Sequence, residues 1–412
     1  MVERIVITGM GTVNPLGKSV EESWNNAVEG KSGIAPITLF DTENYPVKLA
    51  GEVKDFQPSD YMDTKEARRR DRYQQLAAAA AQEAIQHAGI DIDQNLANRV
   101  GVIVSSAIGG LESIAVYIEI LLTEGARKAS PFIIPQLMSN GAASLIAIDH
   151  GYQGPSFSVA SACASGADAI GIAKMLIQSG VIDVAITGGS DATVTEVAVA
   201  AFDKLRALSH RDELPARTPQ PFDKNRDGLV IGEGAAVLVL EKESGAKSRG
   251  ANIHAELAGY GSTSDAYHIT APLETGRGGA RAINIALEDA QINASDIGYI
   301  SAHGTATLLN DIFETKAIMA AFGQQAYHVP ISSTKSMTGH MMGATGALEA
   351  IFCMLAIRDG VIPPTINYQT PDPECDLDYV PIEAREAKIS SASSNAFGFG
   401  GHNAVLVVKE YS

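Results

Sequence analysis

Cysteine is scarce, with three residues in a chain of 412. Three widely spaced thiols build no disulfide framework, and the expected compartment is reducing and cytoplasmic. Basic residues are also few: 31 Lys and Arg stand against 48 Asp and Glu, a net charge of −17. Such a surface repels a phosphate backbone, which argues against general nucleic-acid binding. No apolar run approaches the roughly 20 residues that cross a bilayer, so no membrane partner is expected. The start, Met1 to Ile7, carries Glu3 and Arg4 ahead of a short apolar run, unlike a signal peptide. Glycine and proline are dispersed, leaving no linker or low-complexity segment. What is present is a chain 45% hydrophobic and only 19% charged, long enough for two domains or one large duplicated one.

Apolar strands alternate with helix-period segments, the pattern of an α/β protein with parallel-rich sheets. Arg4 to Thr8 reads as a buried strand ended by Gly9 and Gly11. Ser19 caps a helix to Val28, with Glu22 three residues on. Thr64 to His87 reads as one strong helix, basic at its start. Arg99–Ser105 and Val181–Gly188 read as buried strands, and Thr195–Leu205 as a helix. The pattern restarts near Arg249, so the expected halves are 1–250 and 251–412, related by an internal duplication. From Asp223 the order D-x-N-x-D-G invites a calcium loop, but the required twelfth-position Glu is replaced by Gly234.

The stretch Ser156–Gly166 places Cys163 between a β-type run and a helical pattern starting near Ala167. Helix-start amides favour thiolate over thiol, so Cys163 is a candidate nucleophile. The alternative is a buried structural cysteine, the common fate of a lone thiol. Cys353 lies in an apolar run and reads as core; carboxylates flank Cys375 and would raise its pKa.

In the second half three segments follow buried strands. Ser301–Thr307 carries His303, Ser333–His340 carries Lys335 and His340, and Asn395–His402 carries a glycine-rich turn around Phe399. Glycines there let backbone N–H groups approach a substrate, as an oxyanion site requires. Each segment alone could be structural. A Cys-His pair fits a thiol hydrolase or acyl transferase. A Cys-His-His set could hold zinc, although Lys335 beside His340 and the absence of any close ligand pair argue against a metal. Two neutral histidines aimed at one oxygen suit the enolate left when a malonyl thioester loses carbon dioxide. The basic run Lys65–Arg72 is either a solvated helix face or a dock for an acidic partner.

Taken together, A-C-A-S-G (162–166), A-H-G-T-A-T (302–307), T-K-S-M-T-G-H (334–340) and N-A-F-G-F-G-G (395–401) resemble the β-ketoacyl-acyl-carrier-protein synthases of the thiolase superfamily. The likeness runs from V-I-T-G-M-G at 6–11 to G-F-G-G-H-N-A at 398–404. His340 and Ile108, in S-A-I-G-G, match the synthase II (elongating) type; the initiating type has Asn for the second His, and chain-length factors lack the nucleophile. The resemblance implies a thiolase fold, duplicated βαβαβ halves in a five-layer αβαβα arrangement. It implies that Cys163 takes an acyl chain and that His303 and His340 stabilise the malonyl-derived enolate. The amides of Cys163 and Phe399 would form the oxyanion hole, and Lys335 with Glu349 would order the histidines. Phe399 would gate a pocket lined by Ile108 and Phe202. Thr270, Thr305 and Thr307 would bind phosphopantetheine, which arrives on an acyl carrier protein, so no resident cofactor is implied. Lys65, Arg68, Arg69, Arg127, Lys128 and Arg206 would dock that acidic carrier. A homodimer is implied. Related synthases often have proline after the second Thr, where this chain has Leu308. Two other readings stay open: a ketosynthase of a type II polyketide or polyene pathway, and a non-catalytic partner subunit.

Overall fold

A computed structural model describes residues 3–90, 94–214 and 217–412. Met1 and Val2, part of the stretch read against a leader, lie outside the described residues.

Two five-stranded halves of one ten-stranded sheet, alike in build, account for the strand–helix alternation. In the first half β1 (Ile5–Val13), β2 (Val100–Ser105), β3 (Ser156–Phe157), β4 (Val184–Ala192) and β5 (Glu233–Lys242) lie in the order β1-β5-β4-β2-β3. In the second half β6 (Ala255–Ser264), β7 (Tyr299–Ser301), β8 (Ile331–Ser332), β9 (Ser391–Gly398) and β10 (His402–Lys409) lie in the order β6-β10-β9-β7-β8. Strand sense repeats as well. β3 and β4 run parallel to β2, as β8 and β9 do to β7, and the remaining pairings are antiparallel. The duplication expected from the sequence is thus present in topology. Val6 and Ile7 pair with Glu256 and Ala255, joining the halves edge to edge.

The helices needed below are α1 (Val20–Val28), α2 (Arg72–Ala88), α3 (Leu111–Thr123), α4 (Gly141–His150), α5 (Ser165–Gln178), α6 (Glu196–Lys204), α7 (Arg277–Ala290), α8 (Leu308–Phe322) and α9 (Thr345–Asp359). α2 and α4 cover the outer face of the first sheet through an alanine-rich core; α7 and α8 cover the second. α5 and α9 pack together between the sheets, so both bury most of their surface. Every residue of α9 from Thr345 to Ala356 is buried, which is why that segment has no polar stripe. The result is five layers, αβαβα.

Three local expectations are corrected. Gly9 and Gly11 do not end β1 but lie inside it, because α2 rests on them: a Cβ at either would stand 2.2 Å from a backbone oxygen, of Ala84 or Ala80. The helix expected over Thr64–His87 is two: a turn at Thr64–Ala67, then α2. Asp71 caps α2 with a reciprocal box to Gln74, which satisfies the amides a continuous helix would have used. Val181 and Ile182 precede β4 rather than begin it. Ser19 does cap α1, but the Glu22 carboxylate accepts from Lys18 N–H, one residue outside a capping box. Asp223 accepts from the amides of Asn225, Gln369 and Thr370, and so staples two loops together.

Candidate active site

The segments that stood out in the sequence converge at the carboxyl ends of the parallel strands, where open α/β sheets place their ligands. Cys163 follows β3 in a 3-10 turn, Ala162–Ala164, just before α5. His303 follows β7, His340 follows β8 and Phe399 follows β9. By the fold's internal symmetry the loop of His340 is the counterpart of the loop of Cys163. Each ends in a 3-10 turn before a central helix, entered through a left-handed residue, Ala162 (φ 52°) or Met342 (φ 47°).

Cys163 Sγ and ring nitrogens of His303 and His340 lie within 4.8 Å of one another. The imidazoles meet edge to face, centroids 5.3 Å apart. They border a cavity of about 350 Å³ whose apolar wall includes Phe202, Met342, Phe397 and Phe399. Burial, then the nearby charge of Lys335, holds both imidazoles well below the free-histidine range, so they are neutral. Lys335 Nζ donates to Glu349 Oε1 at 2.5 Å, with both side chains 1% exposed. Three soft ligand atoms this close could hold a metal ion by distance alone. The Lys335 charge beside all three opposes a cation there.

The thiol departs from the expectation. Burial pushes Cys163 up to about 11, against the opposing pull of Lys335 and of the Phe399 and Cys163 amides. Cys163 is half-buried at the cavity and stands ahead of α5 rather than at its first turn. Desolvation therefore outweighs the helix start. Burial also dominates at Cys375, pushed up to about 12, with its neighbouring carboxylates a lesser cause.

Backbone anchors fix the two histidines. His303 N–H and Gly304 N–H donate to the Glu314 carboxylate at 2.8 and 2.7 Å, and Asn395 Nδ2 donates to it at 3.2 Å. Burial lifts Glu314 to about 7. His340 exchanges main-chain hydrogen bonds with Val230 and Gly232, and its Nδ1 lies 3.1 Å from the Thr345 hydroxyl. Asp191, at the end of β4, accepts from Ser106 Oγ, Ala107 N–H, Ile108 N–H and Gly343 N–H, tying the β2 loop to the His340 loop. Glu314, Asp191, Asn395 and Thr345 were not singled out from sequence. The available signal was Asp311 and Glu314 about one turn apart on a largely apolar helix.

Other expected residues divide. Thr270, Thr305 and Thr307 line the cavity, the last two with hydroxyls 2.9 Å apart. Phe202 lines it and stacks on Phe399 at 6.2 Å. Ile108 does not line it: its loop is drawn toward Asp191, with the Ile108 amide 3.4 Å from the carboxylate. Leu308 is the first residue of α8, where proline's missing N–H would cost nothing, so leucine keeps the helix and adds an exposed apolar side chain at the cavity mouth. Lys65, Arg68, Arg127 and Lys128 are exposed. Arg69 pairs with Glu66 at 2.8 Å and lies over Phe132. Arg70 and Arg72 turn inward to Asp149 and Glu233. Arg206 is exposed at the cavity rim.

Comparison with known proteins agrees with this geometry. The profile of the beta-ketoacyl synthase N-terminal domain matches residues 2–246, and that of the beta-ketoacyl synthase C-terminal domain matches 254–369. The chain is 50% identical over 409 residues to "3-oxoacyl-[acyl-carrier-protein] synthase 2" of Staphylococcus aureus (strain COL), covering 99% of each. It is 46% identical over 409 residues to the protein of that name in Synechocystis sp., covering 99% of this chain and 98% of the relative. Among solved structures, a beta-ketoacyl synthase from Burkholderia phymatum superposes with a TM-score of 0.92 at 38% identity over 100% of both chains. The ishigamide ketosynthase/chain length factor gives 0.93 at 39% over 100% of both. With both domain profiles matched and the likeness unbroken along its length, the chain belongs to the beta-ketoacyl synthase family.

Proposed function

We propose that this protein is an elongating β-ketoacyl-acyl-carrier-protein synthase of fatty acid synthesis. It joins an acyl group held on Cys163 to a malonyl thioester, with loss of carbon dioxide, giving a 3-oxoacyl thioester two carbons longer. The observation that carries the reading is the buried cluster of Cys163 Sγ with the nitrogens of neutral His303 and His340, within 4.8 Å of one another. The identities of 50% and 46% to proteins named synthase 2, against 39% to the ishigamide ketosynthase, favour fatty acid elongation over a polyketide or polyene pathway. Cys163, His303, Lys335 and His340 are all present, which disfavours a non-catalytic partner.

In the first half-reaction Cys163 sulfur attacks the acyl thioester carbonyl. The oxyanion falls to the amides of Cys163 and Phe399, both of which act on the sulfur position. The carrier's thiol departs with the proton that Cys163 gives up. A neutral imidazole within 4.8 Å is in reach to pass it. In the second half-reaction the malonyl carbonyl oxygen lies between His303 and His340. The bond to the carboxylate breaks and its electron pair forms the enolate; the enolate carbon attacks the Cys163 thioester carbonyl, the acyl C–S bond breaks, and Cys163 leaves as thiolate and takes back a proton. The Thr345 hydroxyl lies 3.1 Å from His340 Nδ1; where it donates there, the proton rests on Nε2, which has no partner among the described residues. Burial, with the Lys335 charge held in place by Glu349, keeps both rings neutral. Thr270, Thr305 and Thr307 bind the phosphopantetheine arm, and Phe399 against Phe202 gates the acyl chain. This chemistry needs no resident cofactor or metal. The test is incubation with acyl-carrier and malonyl-carrier, scored for acyl mass on Cys163, carbon dioxide and extended product. Acylation elsewhere, or product without carbon dioxide, refutes the reading.

The substrates arrive on an acidic carrier protein. A solved relative, 37% identical, is a ketosynthase in complex with its type II PKS acyl-carrier protein. The dock consists of Lys65, Arg68 and Arg69, with Arg127, Lys128 and Arg206; with Arg69 already paired, Lys65 and Arg68 are its free charges on the first turn. Lys65→Glu with Arg68→Glu is expected to raise KM for carrier-bound substrate by roughly tenfold at low salt, less at high salt, leaving kcat unchanged. A KM that does not move returns this run to an ordinary solvated surface.

The working form is a cytoplasmic homodimer. None of α3 is buried, and Ile118, Leu121 and Leu122 are 50–80% exposed on one side of it, an apolar face that a second copy would cover. No helix among the described residues is long and apolar enough to cross a membrane.

A further inference from the structure

The turn that carries Cys163 is strained, and something must hold it. Ala162 sits in the left-handed region at φ 52°, which is unfavourable for a residue with a Cβ. Such a conformation persists only where its surroundings over-determine it. The residue before it, Ser161, is buried, and its hydroxyl donates to Asp168 Oδ2 at 2.5 Å. Ser161 N–H donates to Ser165 Oγ, which in turn donates to the Ala162 carbonyl at 2.7 Å. Asp168, itself 6% exposed, also accepts from Tyr260 Oη at 2.5 Å, and Tyr260 lies on β6 of the other half. Tyr260 N–H donates to Asp289 of α7, which pairs with Lys174 of α5 at 2.7 Å. Asp168 therefore joins the strained turn to the second sheet through one carboxylate.

The same turn also faces the Phe399 segment. A Cβ on Gly398 would stand 2.8 Å from the Ser161 carbonyl oxygen and 3.0 Å from the Cys163 amide, so no side chain separates the two segments. A shift of Ser161 moves the Cys163 amide relative to that of Phe399. We propose that Asp168 is a positioning residue for the nucleophile: by holding Ser161 and Tyr260 together, it sets the Ala162–Cys163 turn and the spacing of the two amides around the sulfur. It touches neither substrate. The proposal rests on Cys163 being the nucleophile.

The test separates acyl transfer from decarboxylation. Asp168→Ala is expected to slow the rate constant for acylation of Cys163 roughly ten- to hundredfold, since small misplacements of reacting groups cost that much. Malonyl decarboxylation, which uses His303 and His340, is expected to change by less than about threefold. Tyr260→Phe leaves Asp168 its Ser161 partner and is expected to slow acylation in the same sense by less. Ser161→Ala added to Asp168→Ala is expected to cost little more, because both remove one interaction. Asp168→Asn keeps the shape and one acceptor, and serves if the alanine variant does not fold. Equal losses in both half-reactions, additive losses, or unchanged acylation overturns the proposal while wild-type Cys163 still takes an acyl group. No acyl mass on wild-type Cys163 overturns the nucleophile reading instead, and this proposal with it.

Discussion

Cys163→Ala is expected to lower condensation by a factor on the order of 10⁴ or more while leaving malonyl decarboxylation measurable. The sulfur is the one atom in the cluster that can hold an acyl group as a thioester, and alanine offers no replacement. The fold should survive. The side chain borders the cavity, so its removal enlarges an existing space rather than opening one in the core. The check is intact-protein mass spectrometry for the acyl adduct, beside carbon dioxide release from malonyl-carrier. Full condensation by the variant would refute covalent transfer. The wild-type thiol makes a second point. With Cys163 pushed up to about 11, the thiol rather than the thiolate is the resting form at pH 7. Acylation then depends on deprotonation within the site, and its rate should rise with pH well past the range of an ordinary cysteine.

How much of this was legible in the sequence depends on how local the cause is. His303, Lys335, His340 and Phe399 stand after buried strands and Cys163 before a helix, all among small residues, so the position of each marks it. The supporting carboxylates do not announce themselves. Asp168, Asp191 and Glu314 are acids in ordinary strand or helix contexts, and their partners are mostly far along the chain. Only the folding of both halves brings Tyr260 to Asp168 or Gly343 to Asp191. β3 and β8 are two residues long, too short for any periodicity to reveal. Gly9 and Gly11 read as strand breakers because a sequence does not say that a helix will lie across them. The thiol's pKa was misjudged for a related reason. The helix start is visible in the sequence, whereas the burial that pushes the thiol up comes from residues that only the fold brings around the cavity.

His340→Ala is expected to cut decarboxylation and condensation by roughly 10²–10³, with Cys163 still acylated at an appreciable rate. The reason lies in what each half-reaction asks of the site. Acyl transfer develops negative charge near the Cys163 and Phe399 amides, which this variant leaves in place. Decarboxylation develops it on the malonyl carbonyl oxygen, between the two imidazoles. Removing one of two donors there exposes the enolate's charge to a dry site with only His303 left to meet it. The substitution is not a general disruption, because the main-chain bonds of residue 340 to Val230 and Gly232 do not depend on its side chain. His340→Gln places an amide N–H near the position of Nε2 and should recover part of the loss. The pH dependence follows from the same physics. Burial and the Lys335 charge hold both imidazoles well below 6.5, so they remain neutral as pH falls through that value, and decarboxylation should show no inflection there. Loss of acylation with decarboxylation intact in His340→Ala would reverse the assignment, making this histidine the base for Cys163 and leaving the enolate to His303.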